Sequence, residues 1–250
     1  MIEIINLLKT FGDKKVLRNL NFTINSGEVM VIIGRSGCGK SVLLKHIAGL
    51  LKPDLGQIFI DDKDINKLDD KELDELRLSF GMLFQGAALF DSMTVGENVG
   101  FVLREHTDMR EEEVKAKVAR ALELVGLSGI EDLLPAELSG GMKKRVGLAR
   151  AICNEPKIIL YDEPTTGVDP IGADSINNLI LDLDKKLDMT SIVVTHDMVS
   201  AYKIADRIAM LYDGKIIACG TSDEIKNTED PVVKQFVTGA AVGPITENGG

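Results

Sequence analysis

The sequence predicts an α/β fold built around a phosphate-binding loop, with an antiparallel β subdomain and an inserted helical subdomain. Three observations carry this. Gly34–Ser41 reads GRSGCGKS and stands between an unbroken apolar run, Val29–Ile33, and a stretch of helical periodicity. Ile158–Pro164 reads IILYDEP, a second apolar run ending in two carboxylates. Between them, over about residues 87–150, the strand–helix alternation gives way to helical periodicity. A strand buried on both faces reads as a continuous apolar run, so both runs belong inside an α/β core.

The elements follow in order. Residues 2–8 and 20–24 read as short strands, and 57–61 (QIFID) as another. Val29–Ile33 feeds the loop at 34–40, and a helix runs from Lys40 to Leu51, stopped before Pro53. Ser79–Phe84 is a further strand, ending at Gln85. Asp108-x-x-Glu111 has the form of a capping box. Val114, Val118, Leu122 and Val125 then share one helical face, with Gly126 as the C-cap. The α/β pattern resumes at Ile158. Asp169-Pro170 starts a helix, Asp as N-cap and Pro in the first turn. Ile192–Thr195 is the next core strand, ending at His196. Arg207–Cys219 reads as a hairpin around Asp213-Gly214, a pair suited to a two-residue connection. On this pattern residues 1–230 form one domain, with the helical insertion at about 87–150, and residues 231–250 form a C-terminal extension.

Composition narrows the function classes. At 250 residues the chain buries one core with room for a subdomain. A net charge of −10 and a pI near 4.9 repel a phosphate backbone, so no nucleic-acid partner is expected. The apolar runs fall far short of the roughly 20 residues that cross a bilayer. The N-terminus carries acid early and lacks a small-residue cleavage site, so it does not read as a signal peptide. Cys38, Cys153 and Cys219 are odd in number, widely spaced and without a CxxC, which suits a reducing cytoplasm.

The loop GRSGCGKS has the form GxxxxGK[ST], follows a buried strand and opens a helix. Its glycines let backbone N–H groups converge on phosphates, and the helix N-terminus adds its dipole. Gly34, Arg35, Ser36, Gly37, Cys38, Gly39, Lys40, Ser41 and Val42 are therefore expected around a nucleotide. Lys40 is expected to reach the β- and γ-phosphates, and the Ser41 hydroxyl to ligate Mg²⁺. Asp162 fits as a water-mediated Mg²⁺ ligand, because this ion takes oxygen ligands and keeps several waters. Glu163 fits as the group that polarises the attacking water.

With these residues in place, the chain resembles the ATP-binding subunit of an ABC transporter over nearly its whole length. The resemblance assigns Phe11 to stacking on adenine, where tyrosine is commoner. Gln85 is implied as the glutamine that senses Mg²⁺ and faces a membrane partner, and His196 as the switch histidine at the γ-phosphate. Leu138-Ser139-Gly140-Gly141-Met142 is similar to the family signature, and Asp169 lies in the loop that crosses to a second subunit. Ser139, Gly140 and Gly141 open a helix away from the chain's own phosphate loop. Two head-to-tail copies would each supply half of two ATP sites. The implied activity is ATP hydrolysis, with Glu163, His196, Lys40 and Gln85 catalytic. It would take place in a homodimer on the cytoplasmic face of a membrane, driving a separate integral-membrane permease that docks at about residues 86–104. Met142 stands where the family usually has glutamine. LSGGM, the helix SVLLKHIAGLL and the tail QFVTGAAVGPI are similar to the Mla and Mce-type lipid-transport ATPases. That similarity implies phospholipid cargo and lipid-binding partner proteins. The alternatives are the ATPase of a small-solute importer or lipoprotein-release system, and a soluble ATPase of assembly or translation. Residues 231–246 are read either as reaching onto the neighbouring subunit or as a frayed end.

Several motifs carry no chemistry. Asn66–Asp69 matches the guanine-reading NKxD but comes one strand too early. Asp62-x-Asp64-x-Asn66 begins like a calcium loop but has Lys67 where glycine is needed. His46 and His106 lack metal-ligand spacing. Cys38 is read as a small residue that fits the loop, and Lys143, Lys144 and Arg145 as a solvated helix face.

Overall fold

The computed structural model describes residues 1–247. The chain divides into two compact units, one formed by Met1–Leu73 together with the chain from Val193 onward, the other by Asp74–Ile192.

In the first unit, β1 (Ile2–Phe11) and β2 (Lys14–Ile24) form an antiparallel hairpin. They continue through β4 (Leu55–Ile60) and β5 (Lys63–Asp64) in the order β2-β1-β4-β5. Ile2, Ile4 and Leu7 are all buried, which breaks the strict alternation of a strand. Asn6, at φ +51°, supplies the extra residue where the β1–β2 register shifts. Asparagine tolerates this left-handed conformation better than most residues. β2 begins at Lys14, earlier than the apolar pattern indicated, because its first residues are exposed lysines held by pairing with Phe11 and Thr10.

The same unit holds β3 (Val29–Ile33), whose five residues are all buried. β3 pairs in parallel with β9 (Arg207–Tyr212), and β9 pairs antiparallel with β10 (Lys215–Gly220). The β9–β10 turn is Asp213-Gly214, with φ +46° and +74°, the left-handed pair that a two-residue hairpin requires. After the loop, α1 (Lys40–Ile47) buries Leu43, Leu44 and Ile47. It ends before the predicted Leu51, because Gly49 turns the chain at φ +65°. The short helices α7 (Met198–Ile204) and α8 (Ser222–Lys226) precede α9 (Pro231–Thr238) and α10 (Pro244–Glu247). Within the described part of the tail, residues 231–238 and 244–247 are helical. Asp230 caps α9 by accepting from Val232 and Val233 N–H, and Val233 and Ile245 are buried.

The chain passes through α2 (Asp70–Arg77) into the second unit. There β6 (Phe80–Leu83) pairs in parallel with β7 (Ile158–Asp162). α3 (Val95–His106), α4 (Glu111–Leu124) and α5 (Gly140–Ile152) pack on one another, and α6 (Pro170–Leu187) follows β7. β8 (Thr190–Thr195) carries the chain back to the first unit. Two glycines let α5 lie directly against β6. A Cβ on Gly81 would stand 2.3 Å from the Ala151 carbonyl oxygen, and one on Gly147 2.9 Å from Leu83 Cδ1.

Capping follows the sequence rules with one correction. Asp169 caps α6 by accepting from Ile171 and Gly172 N–H, each at 3.0 Å. Asp108 does not cap α4. The N-cap is Arg110, whose N–H donates to Glu113 Oε2 at 3.0 Å, because the run Glu111–Glu113 offers a carboxylate two residues further on. Among the described residues, no helix is long and apolar enough to cross a membrane.

Candidate functional site

In the first unit the phosphate loop leaves β3 at Gly34. A side chain cannot stand there, since a Cβ would lie 2.4 Å from the Leu211 carbonyl oxygen and 2.8 Å from Cys38 Sγ. Gly37 and Gly39 hold φ of +77° and +110°, and the Cys38 N–H closes the turn onto the Arg35 carbonyl at 3.2 Å. The buried Lys40 ammonium donates to the carbonyls of Gly34 at 2.8 Å and Arg35 at 3.2 Å, so the loop wraps around a cation. Ser36 and Gly37 are exposed, and Ser41 and Val42 are half-buried at the start of α1. No side chain caps α1, and no acidic residue stands in its first turn. A backbone cradle, a held ammonium and an uncapped helix N-terminus together suit a polyphosphate.

A cleft of about 400 Å³ lies beside this loop, lined by Arg35, Ser36, Gly37, Cys38, Tyr212, Asp213 and Ile245. Arg35 Nη1 donates to the Ile245 carbonyl at 3.4 Å, which sets α10 on the rim of the cleft. Phe11, 45% exposed at the end of β1, has Lys9 Nζ 5.5 Å from its ring centroid. An exposed aromatic of this kind suits base stacking. His196, directly after β8, is exposed. Cys38 is half-buried and forms part of the loop turn.

The second unit carries the other predicted residues. β7 is buried throughout and delivers Asp162 and Glu163, both largely buried, at its C-terminal end. Glu163 adopts φ +52°, a left-handed conformation unusual for a long side chain. Its carboxylate accepts from Thr166 Oγ1 at 3.3 Å, and its carbonyl accepts from Thr166 N–H at 3.2 Å. Gln85 is exposed just after β6, followed by Ala87 and Ala88 at φ +60° and +48°. Arg150 of α5 holds that bend, donating to the Ala87 and Ala88 carbonyls at 2.6 and 2.7 Å.

Leu138 is buried and anchors the signature turn, whereas Ser139 and Gly140 are exposed. Ser139 Oγ accepts the Met142 N–H at 3.3 Å and so caps α5. A Cβ on Gly140 or Gly141 would meet nothing within 4 Å, and the first turn of α5 carries no acid. The turn thus presents a helix N-terminus to open space. Met142 is half-buried. Asp169 is exposed, and the N–H groups of Gly172 and Ile171 hold its carboxyl below the usual range.

The basic run in α5 is not a solvated face. Lys144 is buried and donates to the Gln85 carbonyl at 3.1 Å and the Glu163 carbonyl at 3.4 Å. Arg145 donates to the Val125 carbonyl at 2.7 Å and to Ser175 Oγ at 2.8 Å. The sequence did hold a signal for Lys144. Helical spacing puts it on one face with Gly147, Leu148 and Ala151, an inward stripe.

Ser41 in the first unit, and Asp162 and Gln85 in the second, each carry oxygen of the kind a hard cation such as Mg²⁺ takes. Among the described residues there is no cluster of three or more His, Cys, Asp or Glu that could hold a metal. Such an ion would therefore draw on phosphate oxygens and water as well. His46 is buried with its Nδ1 2.8 Å from the Val42 carbonyl, in keeping with a packing role, and His106 is exposed.

Comparison with known proteins agrees with this geometry. A family model described as "ABC transporter" matches residues 17–166. The chain is 44% identical to the "Intermembrane phospholipid transport system ATP-binding protein MlaF" of Haemophilus influenzae, over 98% of this chain and 93% of that protein. It is also 44% identical to the "Probable ribonucleotide transport ATP-binding protein mkl" of Mycobacterium tuberculosis, over 98% of this chain and 68% of that one. Among solved structures, it is similar to a dimeric post-hydrolysis state of an ATP-binding cassette bound to ADP and Pi. There the TM-score is 0.80 at 34% identity, covering 89% of this chain and 99% of the other.

Proposed function

Since the chain belongs to the ABC transporter family as an ATP-hydrolysing subunit, we propose that two copies pair head-to-tail and drive a separate membrane permease for phospholipid. The observation that carries the pairing is the turn at Ser139 and Gly140, both exposed. It is a helix N-terminus facing open space, suited to anionic phosphate, and the nucleotide on a second copy supplies that anion. The solved cassette similar to this chain is itself a dimer.

In this reading Phe11 stacks on the base, and the backbone of Gly34–Ser41 cradles the phosphates. Lys40 neutralises charge as it develops on the transferred group. Glu163 accepts a proton from the attacking water, with its backbone fixed in the left-handed conformation. His196 orients the terminal phosphate. Ser41, Gln85 and Asp162 would hold Mg²⁺, which would supply charge neutralisation for phosphoryl transfer. Asp169 keeps the turn before α6 rigid at the copy-to-copy contact. Residues 86–104, whose entry bend is clamped by Arg150, form the docking surface for the permease. The assembly sits on the cytoplasmic face of the membrane, with lipid-binding proteins as further partners.

Phospholipid cargo is supported by the Met142 signature, by the tail and by the name of the Haemophilus relative. A polar nucleotide cargo is the second reading, favoured by the name of the mycobacterial relative. Affinity purification of the full chain from native membranes in detergent, with mass spectrometry of what accompanies it, tests both. An integral-membrane subunit with bound phospholipid is expected. Ribonucleotide without lipid would favour the second reading, and a soluble partner alone would overturn both.

A further inference from the structure

Lys144 is not among the residues assigned to nucleotide binding or hydrolysis, yet it is a buried cation joining two of them, Gln85 and Glu163, through their main chains. Its ammonium lies between the carbonyl of Gln85, at 3.1 Å, and the carbonyl of Glu163, at 3.4 Å. Both carbonyls belong to unusual backbone. Glu163 sits at φ +52°, and Gln85 opens a bend whose residues Ala87 and Ala88 sit at φ +60° and +48°. Such conformations are costly for residues other than glycine, and persist only where the surroundings over-determine them. Burying a lysine is itself costly. Burial pushes its pKa down, while the nearby Glu163 charge pulls it up. An apolar residue on this inward face of α5 would avoid that cost but would leave both carbonyls without the ammonium donor.

We infer that Lys144 is a positioning residue for hydrolysis, tying the main chain at Gln85 to the main chain at Glu163. It does not touch the reacting atoms. It sets where the Glu163 carboxylate points, and it makes any displacement of the Gln85 loop felt at Glu163. Three N–H donors on one flexible stem suit this task, because a single group can serve two carbonyls on different segments. The inference rests on the reading of Glu163 as the group that polarises water.

The test is steady-state phosphate release and nucleotide affinity of the purified full chain, for Lys144→Met, Lys144→Arg and Glu163→Gln. Lys144→Met keeps the length and removes the donors. Its kcat should fall on the order of 10- to 100-fold, as for a misplaced catalytic group, with ATP affinity within about twofold of the parent. Lys144→Arg keeps donors to both carbonyls and should restore most of kcat. If Lys144→Met yields no folded protein, Lys144→Gln, with a shorter reach and one donor group, should show the same selective loss. Unchanged kcat in Lys144→Met overturns the inference. So does a parallel loss of kcat, ATP affinity and thermal stability that arginine does not relieve, since that is the mark of a merely structural residue. Full turnover in Glu163→Gln would instead remove the premise, and the inference with it.

Discussion

Gln235 offers the sharpest test of how the C-terminal segment is held. It is almost fully buried, and its side chain makes three hydrogen bonds within the tail. Nε2 donates to the Ala240 carbonyl at 3.1 Å and to Thr246 Oγ1 at 3.3 Å, while Oε1 accepts from the Ile245 N–H at 2.7 Å. The amide thus clasps α10 back against α9 across the glycine turn. Gln235→Ala removes all three bonds and leaves the Ile245 N–H buried without its acceptor. At about 1 kcal/mol net per bond, the loss is about 2–3 kcal/mol of local stability. Since 1.4 kcal/mol is tenfold, the opened population of the tail should rise roughly 30- to 150-fold. Amide hydrogen exchange of the full chain, read by mass spectrometry over residues 240–247, measures this directly. The faster exchange should be confined to that segment, with β3 peptides unchanged. Gly243→Ala should act in the same direction, because a Cβ there would stand 2.6 Å from Gln235 Cδ. Exchange in Gln235→Ala within about threefold of the parent would refute the clasp.

Two further outcomes follow from the phosphate-loop unit. Lys40→Ala removes the buried ammonium that the loop encloses and should lower phosphate release on the order of 100-fold or more; near-normal turnover would refute the site. His46 is buried, and burial sets its pKa below the ordinary 6.5, with Lys9 adding to that and the Val42 carbonyl opposing it. The unfolded chain therefore binds the proton first, so stability should decline as pH falls through about 6.5 and level off below the native pKa. Urea midpoints from pH 7.5 to 5.5 should show this slope, and His46→Leu should flatten it; an identical slope in the variant would sink the assignment.

How much of this was legible in the sequence depends on whether a feature is local. The phosphate loop, the Asp169-Pro170 helix start and the Asp213-Gly214 turn are set by residues within a few positions of one another, and each stands where the pattern put it. The bulge at Asn6 was not legible, because a one-residue shift of register looks like noise in a strand pattern. The start of α4 was misplaced because Glu111, Glu112 and Glu113 are interchangeable in composition and only the backbone decides which one reaches an N–H. The basic run Lys143–Arg145 misled for a different reason. Its partners are carbonyls of distant segments, Gln85, Val125 and Glu163, and no local rule announces a main-chain acceptor.

That misreading bears on the logic of α5. Its first turn presents Ser139 and Gly140 outward, while its body faces inward on β6 through Gly147. From one continuous helix, Lys144 grips Gln85 and Glu163, and Arg150 grips Ala87 and Ala88. Continuous backbone hydrogen bonds join its N-terminal turn to the turns that carry Lys144 and Arg150. Contact at its N-terminus therefore cannot shift the helix without pulling on the carbonyls that its side chains hold. An apolar stripe would bury α5 equally well but could slide, since apolar contacts are non-directional. Hydrogen bonds from fixed donors to bent main chain cannot slide without breaking. Basic side chains on an inward face are thus the feature expected of a helix whose position must register at Glu163, and Lys144→Met is the substitution that separates this account from simple packing.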